Sequence, residues 1–345
     1  MFLFENITEE TVKIFKECFD NNGSPKHESK IRWQFLENPT KLQLVDIAID
    51  KEINKVAAIY AVSPVKFQIT KEDYLGSQSL DTITDIDYRG KGLFIKLAQS
   101  VYEKSIQHKI KLVYGFPNGN SIHGFEKKLG WKVLDPVPFL IKPIRSGYFT
   151  KKVKILSWLP DIRISRKYKI DKNVRINLSK DFPEEVNYIW EKFSKNILVT
   201  VKRDKEYLNW RYLKKPEEDY KILHAYNSEG LYIGYLIYCV KKKHGGKIGY
   251  IMEFIYDPIH KKQAKNLLKF ATNNILKEKA DCILSWCLEH SDNYEFYKKV
   301  GFLSLPEKFR PIELHFGARS FDSGLDKVIY KRTNWYLSYS DSDTV

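Results

Sequence analysis

Arg89-Gly90-Lys91-Gly92 follows a strand-like run, TITDID (82–87), and precedes a helical one that begins at about Leu93. A strand-to-helix turn of this kind aims free backbone N–H groups and the positive end of a helix dipole at one point. Two glycines let an anion approach the backbone closely. The chemistry that fits is the holding of a phosphate or pyrophosphate, with Ile86, Arg89, Gly90, Lys91, Gly92, Leu93 and Phe94 around it. The loop lacks the third glycine of a dinucleotide fingerprint and the Gly-Lys-Ser/Thr of a P-loop; a tight turn with solvated Arg89 and Lys91 is the plainer reading. Asp85 and Asp87 stand beside it on one face of a period-2 strand, placed to accept a proton or, for Asp87, to pair with Arg89 or meet a substrate. His123 is a second acid–base candidate, against a plain solvated histidine. Asn118 and Asn120 precede its helix and either bind ligand amides or cap that helix.

The elements that must position these residues occur twice. Trp33-Gln-Phe-Leu-Glu-Asn-Pro39 and Trp210-Arg-Tyr-Leu-Lys-Lys-Pro216 share the pattern Trp-x-aromatic-Leu-x-x-Pro at an offset of 177. Phe125–Trp131 echoes Phe296–Phe302 at an offset of 171. Helical segments 7–19, with Thr8 as cap, and 181–193, starting at Asp181, precede the Trp segments. In both copies strands follow, then a strand–helix pair, a buried strand, and a short helix closed by Gly130 or Gly301. The expected domains are 1–145, a basic proline-interrupted linker at 146–173, and 174–345. The second copy has no glycine between Tyr250 and Val300, and its turn reads DPIHKKQAK, so an anion loop is expected in the first copy alone. Trp33 recurs in the copy without a loop, which favours core packing, although the segment can also flank an acceptor cleft.

The order of strand meander, glycine loop, helix, buried strand and Phe-x-Lys-x-x-Gly-aromatic segment resembles the GNAT acyltransferase superfamily. The resemblance covers nearly the whole chain and implies an α/β (α+β) architecture of two tandem GNAT-like domains, each a mixed, mostly antiparallel sheet flanked by helices. It implies that Arg89 and Gly92 hold the pyrophosphate of acyl-CoA, whereas Phe94 stands where the family has Gly or Ala. It implies direct attack of an amine on the thioester, backbone N–H groups at the end of strand 82–87 receiving the oxyanion, and a tyrosine protonating the leaving thiolate. That tyrosine position holds Glu126 here, and Tyr297 lies in the second copy. PNGNS (117–121) and the tail NWYLSYSDSDTV (334–345) resemble the branch of sugar N-acyltransferases in surface-polysaccharide pathways. This implies an acetyl or short hydroxyacyl donor, such as 3-hydroxybutyryl, and the amine of a nucleotide-linked, thymidine-type deoxyamino sugar. Asp341 and Asp343 then either meet that sugar or belong to a loose end.

Composition bounds the rest. The 345 residues carry a formal charge of +15, which favours a polyanionic partner, and 20 Phe, 22 Tyr and 7 Trp require burial. Cys18, Cys239, Cys282 and Cys287 form no metal-finger spacing and read as buried thiols; no metal is expected. No run matches a signal peptide or a membrane span, so the expectation is a cytoplasmic monomer that binds coenzyme A and a nucleotide sugar but no nucleic acid. Two competitors are a Fem-like transferase using aminoacyl-tRNA, which has no need of the glycine loop, and a non-catalytic binding module, which the intact loop disfavours.

Overall fold

The alternating and apolar runs of the two copies form strands in a similar order, with β9 (Val199–Val201) an addition of the second copy. The computed structural model describes residues 1–151, 155, 157–310 and 312–345. Residues 152–154 and 156 of the expected linker lie outside the described residues. The first copy comprises β1 (Phe2–Asn6), α1 (Val12–Asn21), α2 (Glu28–Ile31) continuing into a π-turn (Arg32–Leu36), β2 (Leu44–Asp50), β3 (Lys55–Ile69), β4 (Glu72–Thr84), α3 (Leu93–Gln107), β5 (Ile110–Gly115), α4 (Ile122–Leu129), β6 (Lys132–Leu134) and β7 (Phe139–Pro143). A short α5 (Gly147–Thr150) follows. The second copy comprises β8 (Arg175–Ser179), α6 (Glu185–Ser194), β9 (Val199–Val201), α7 (Lys205–Leu208) with its π-turn (Asn209–Leu213), β10 (Lys221–Tyr226), β11 (Tyr232–Lys243), β12 (Gly246–Tyr256), α8 (Lys261–Lys277), β13 (Cys282–Trp286), α9 (Asp292–Lys299), β14 (Leu303–Ser304), β15 (Phe316–Ser320) and α10 (Asp326–Ile329). Helices α1 and α6 begin about a turn later than read. Thr8 and Thr11 bond one another ahead of α1, and Pro183 precedes α6.

Two mixed sheets result, of the α/β class expected. The first runs β1-β2-β3-β4-β5-β15-β6, with β9 added to β3; the second runs β14-β7-β13-β12-β11-β10-β8. The two copies therefore exchange their last strands. β7 enters the second sheet between β13 and β14, and β15 enters the first between β5 and β6. The sequence pattern, read locally, gave each copy its own complete sheet. The connector DPVP (135–138) holds two prolines, which favour an extended path over a hairpin; the strand it launches reaches the neighbouring sheet.

Each sheet is covered on both faces. Leu97, Val101 and Phe125 pack on one face of the first sheet, Val12 and Phe15 on the other. Leu267, Leu268 and Ile275 of α8 cover the second sheet. The largest core lies between the halves and includes Phe67, Tyr114, Phe139, Trp286, Phe316 and Trp335. At its edge the repeated heptapeptides meet. The Trp33 and Trp210 rings stack at 4.6 Å and 15°. Trp33 Nε1 donates to the Trp210 carbonyl at 2.8 Å, and Trp210 Nε1 donates to the Trp33 carbonyl at 3.0 Å. The four cysteines are buried, as read.

Trp33→Ala and Trp210→Ala should each cost about 3–5 kcal/mol. Because each ring is the other's partner, a double-mutant cycle in urea should show a coupling of about 0.5–3 kcal/mol. Additive losses would contradict the reciprocal pairing.

Candidate functional site

β4 and β5 pair in parallel only from Leu75↔Ile110 to Ser79↔Gly115. β4 then continues to Thr84 while β5 ends, so the strands part and leave a wedge. This cavity of about 370 Å³ is lined by Gln78–Thr84 on one side and Gly115–Asn118, Asn120, Ser121 and Phe125 on the other. A bulge interrupts the β3–β4 register between Ile59 and Ala61, and Asp81 within it takes a left-handed φ of 51°. The Thr82 hydroxyl beside the wedge is buried without a hydrogen-bond partner.

The glycine loop immediately precedes Phe94, which lines the wedge. Gly90 and Gly92 have φ of 78° and 72°, and α3 begins at Leu93 with Gly92 as its N-cap. Nothing lies within 4 Å of where a Cβ would stand on either glycine, so the loop backbone is open to a ligand. Arg89 and Lys91 are exposed beside it; Lys91 Nζ lies 4.6 Å from the Tyr88 ring centre. Leu93 is buried in the core and can offer a ligand only its backbone. Phe94 lines the wedge, and Gly124 makes room for it: a Cβ on Gly124 would stand 2.7 Å from Phe94 Cε1. The departure from a small residue at position 94 is thus matched by a missing side chain on α4.

The structure brings Phe94, Asn118 and Asn120 together in the wedge and leaves other candidates outside. Asn118 caps the turn ahead of α4, its Oδ1 accepting from the Asn120 and Ser121 N–H groups at 3.1 and 3.2 Å, while both asparagines line the wedge. Asp85 and Asp87 do not share a strand face. β4 ends at Thr84, and Asp85 caps a 3₁₀ turn at Ile86–Tyr88 by accepting from Asp87 N–H at 3.1 Å. Asp85 also accepts from Asn22 and Lys55, both at 3.1 Å. Burial pushes its carboxyl up, but the bonds from Asn22, the Asp87 N–H and Lys55 hold it below the usual carboxylate range. Asp257 makes the same cap in the second copy, accepting from Ile259 N–H at 3.0 Å. A cap kept by both copies is structural, so Asp85 is not in place to take the acceptor's proton. Asp87 is exposed and pairs with Lys55 at 2.8 Å, not with Arg89. Ile86 is 67 % exposed, and His123 points away from the wedge into solvent.

A second cavity, of about 290 Å³, lies between the halves and shares Gln78, Leu80, Asp81 and Asp343 with the wedge. The stacked Trp33 and Trp210 line it. So do Lys26, Lys30, Arg211, Lys215, Lys241 and Lys243, against Asp81, Glu218 and Asp343. Burial, with Arg211 nearby, lowers the Lys215 ammonium well below its usual range. The tail is no loose end. Trp335–Ser342 is buried, Tyr339 stacks on Trp286 at 4.8 Å, and Arg211 donates to the Ser340 and Ser342 carbonyls. Asp341 is fully buried on Arg203 at 2.5 Å, out of reach of a ligand, whereas Asp343 is exposed at the junction of both cavities.

The second copy's wedge keeps a cavity of about 330 Å³ that its own tail narrows. Asn293 of α9 donates to the Phe254 carbonyl of β12 at 2.8 Å, and Trp335 and Tyr336 line what remains. Tyr297 is buried in that half's core, far from a thiolate's position in the first wedge. Sequence reasoning missed Lys26 and Asp81, although the Trp offset of 177 pairs Lys26 with Arg203, and the offset of 172 between Asp85 and Asp257 pairs Asp81 with Glu253.

The parted strands, the glycine loop and the open wedge make up the candidate site. Residues 4–134 match the acetyltransferase (GNAT) domain family. No curated protein matches the chain. Among solved structures, a conserved protein of Enterococcus faecalis V583 described as a probable N-acyltransferase is similar, with a TM-score of 0.64 at 13 % identity over 93 % of this chain and 72 % of that one. Saccharomyces cerevisiae N-myristoyltransferase with bound myristoyl-CoA gives a TM-score of 0.60 at 11 % identity over 92 % and 82 %. At these identities the likeness is one of fold, and it extends across both halves. Among the described residues no helix is long and apolar enough to cross a membrane.

Gly124→Ala should drive a Cβ into Phe94 and cost about 1–3 kcal/mol. Phe94→Leu in the same chain should return most of that loss in urea unfolding. No rescue would show that the two positions do not share this space.

Proposed function

We propose that this protein transfers an acyl group from CoA to the amine of an acidic acceptor, best matched by a nucleotide-linked deoxyamino sugar. The observation that carries the reading is the continuity of the two cavities through Gln78, Leu80, Asp81 and Asp343. CoA seated by its pyrophosphate on Gly90–Leu93 can lay its pantetheine arm along β4, past Asn118 and Asn120. The thioester then comes to the bulge, where the inter-half cavity opens. There the amine must approach to about 3–3.5 Å of the thioester carbon. Beyond Ser79 the edge of β4 that faces β5 is unpaired, which leaves backbone donors for the developing oxyanion.

The acceptor side supports an anion. Six Lys and Arg side chains line the inter-half cavity against three acids, and a diphosphate is well served by such a set. In this reading residues 1–145 carry the acyl-CoA loop, 146–173 link the copies, and 174–345 supply acceptor-side surface. One chain holds both copies and acts as a monomer in the cytoplasm, without a metal. The intact glycine loop favours CoA over an aminoacyl-tRNA donor.

A thiol-release assay tests this. It offers acetyl-, 3-hydroxybutyryl- and myristoyl-CoA against free amino sugars, thymidine-diphosphate amino sugars and peptide amines. The expected result is turnover with nucleotide-linked amino sugars, falling steeply as salt rises and screens the cationic cavity. Turnover with peptide amines alone would replace the sugar acceptor.

A further inference from the structure

The two halves carry one ion pair each at equivalent places. Lys26 Nζ lies 2.6 Å from Asp81, and Arg203 Nε lies 3.1 Å from Glu253. Lys26 and Arg203 are 177 positions apart, as Trp33 and Trp210 are; Asp81 and Glu253 are 172 apart, as the capping residues Asp85 and Asp257 are. The pairs differ in what occupies them. In the second half both side chains are fully buried. Glu253 accepts from the Tyr336 hydroxyl at 2.6 Å and the Ser338 hydroxyl at 3.0 Å, and Arg203 holds Asp341. All three belong to the chain's own tail. In the first half Lys26 and Asp81 line the inter-half cavity, and Asp81 alone of the pair also lines the wedge.

We infer that the Lys26–Asp81 pair holds the acceptor as the Arg203–Glu253 pair holds the tail, and that Asp81 takes the proton from the attacking amine. This rests on the acyl-transfer reading above and narrows its acceptor to an amine with a neighbouring hydroxyl, the counterparts of the donors that Glu253 receives. The nitrogen lone pair forms the C–N bond to the thioester carbon. The C–S bond breaks, and its electron pair leaves on sulfur. The nitrogen's proton passes to the Asp81 carboxylate, which returns it to the thiolate or to solvent, and CoA departs as the thiol. Two charged groups face Asp81: Lys26, from the connection between α1 and α2, and Asp343, from the tail. Burial raises its carboxyl, Lys26 opposes that rise, and Asp343 adds to it. A base raised in this way is better matched to neutral pH than an exposed aspartate.

Asp81→Asn should slow amine-dependent thiol release by about 10²-fold or more, with acyl-CoA affinity kept within about twofold. Asp81→Glu should keep part of the rate. Lys26→Gln removes the cation that holds the carboxyl down, so the acidic limb of kcat/KM should move to higher pH. That profile decides the matter even where Asp81→Asn does not fold. The inference is overturned by an Asp81→Asn rate within about threefold of wild type, by acyl-CoA affinity that falls in step with the rate, or by an unmoved acidic limb in Lys26→Gln. If the wild type releases no thiol with any amine, the acyl-transfer reading itself fails and takes this inference with it. If the wild type turns over and Asp81→Asn keeps its rate within about threefold, this inference alone falls.

Discussion

The reciprocal contact of Trp33 with Trp210 is the constraint on which the rest of the structure depends. Each indole lies on the other, and each N–H is used by the other's backbone carbonyl. A buried indole N–H without a partner is costly, so the two copies satisfy each other at this point. The exchange of β7 and β15 extends the same relation to the sheets. What would be two small domains with separate cores becomes one body with its largest core between them. The inter-half cavity is a consequence, because its walls come from both copies and from the tail that runs between them.

Within that symmetry, function comes from the places where the copies differ. Both copies part their parallel strands, but only the first keeps its glycines. The second has Pro258 in the corresponding turn, Asn293 on the strand carbonyl, and Trp335 and Tyr336 at its mouth. The second copy's acid–base pair is likewise filled by the chain itself. The buried cluster of Arg203, Glu253 and Asp341 fixes the tail, since removing one partner would leave charge unpaired in the interior. A fixed tail in turn places Asp343 where the two cavities join.

Much of this was legible in the sequence because it is local. The glycine loop, the cap at Asn118, the closing glycines of α4 and α9 and the doubled Trp segment are short-range patterns, and each forms as the residues dictate. The strand exchange was not legible, because the alternation of β7 records that it is buried in a sheet and not which sheet. The acid–base candidates failed for a related reason. A period-2 reading carried Asp85 and Asp87 past the end of the strand, where Asp85's own cap turns the chain. The bulge at Asp81 breaks the same period in the opposite sense and puts a carboxylate where alternation would not look for one. The repeat held the missing information, since Asp85 matches a cap in the other copy and Asp81 matches an ion-paired acid.

The most direct measurement is calorimetric titration of the protein with a non-hydrolysable acyl-CoA, beside Gly92→Glu. That substitution sets a carboxylate and a left-handed side-chain residue at the point assigned to the pyrophosphate. The account predicts one site per chain in the wild type and its loss in Gly92→Glu, with the fold retained. Two sites per chain, none, or unchanged affinity in the variant would contradict it.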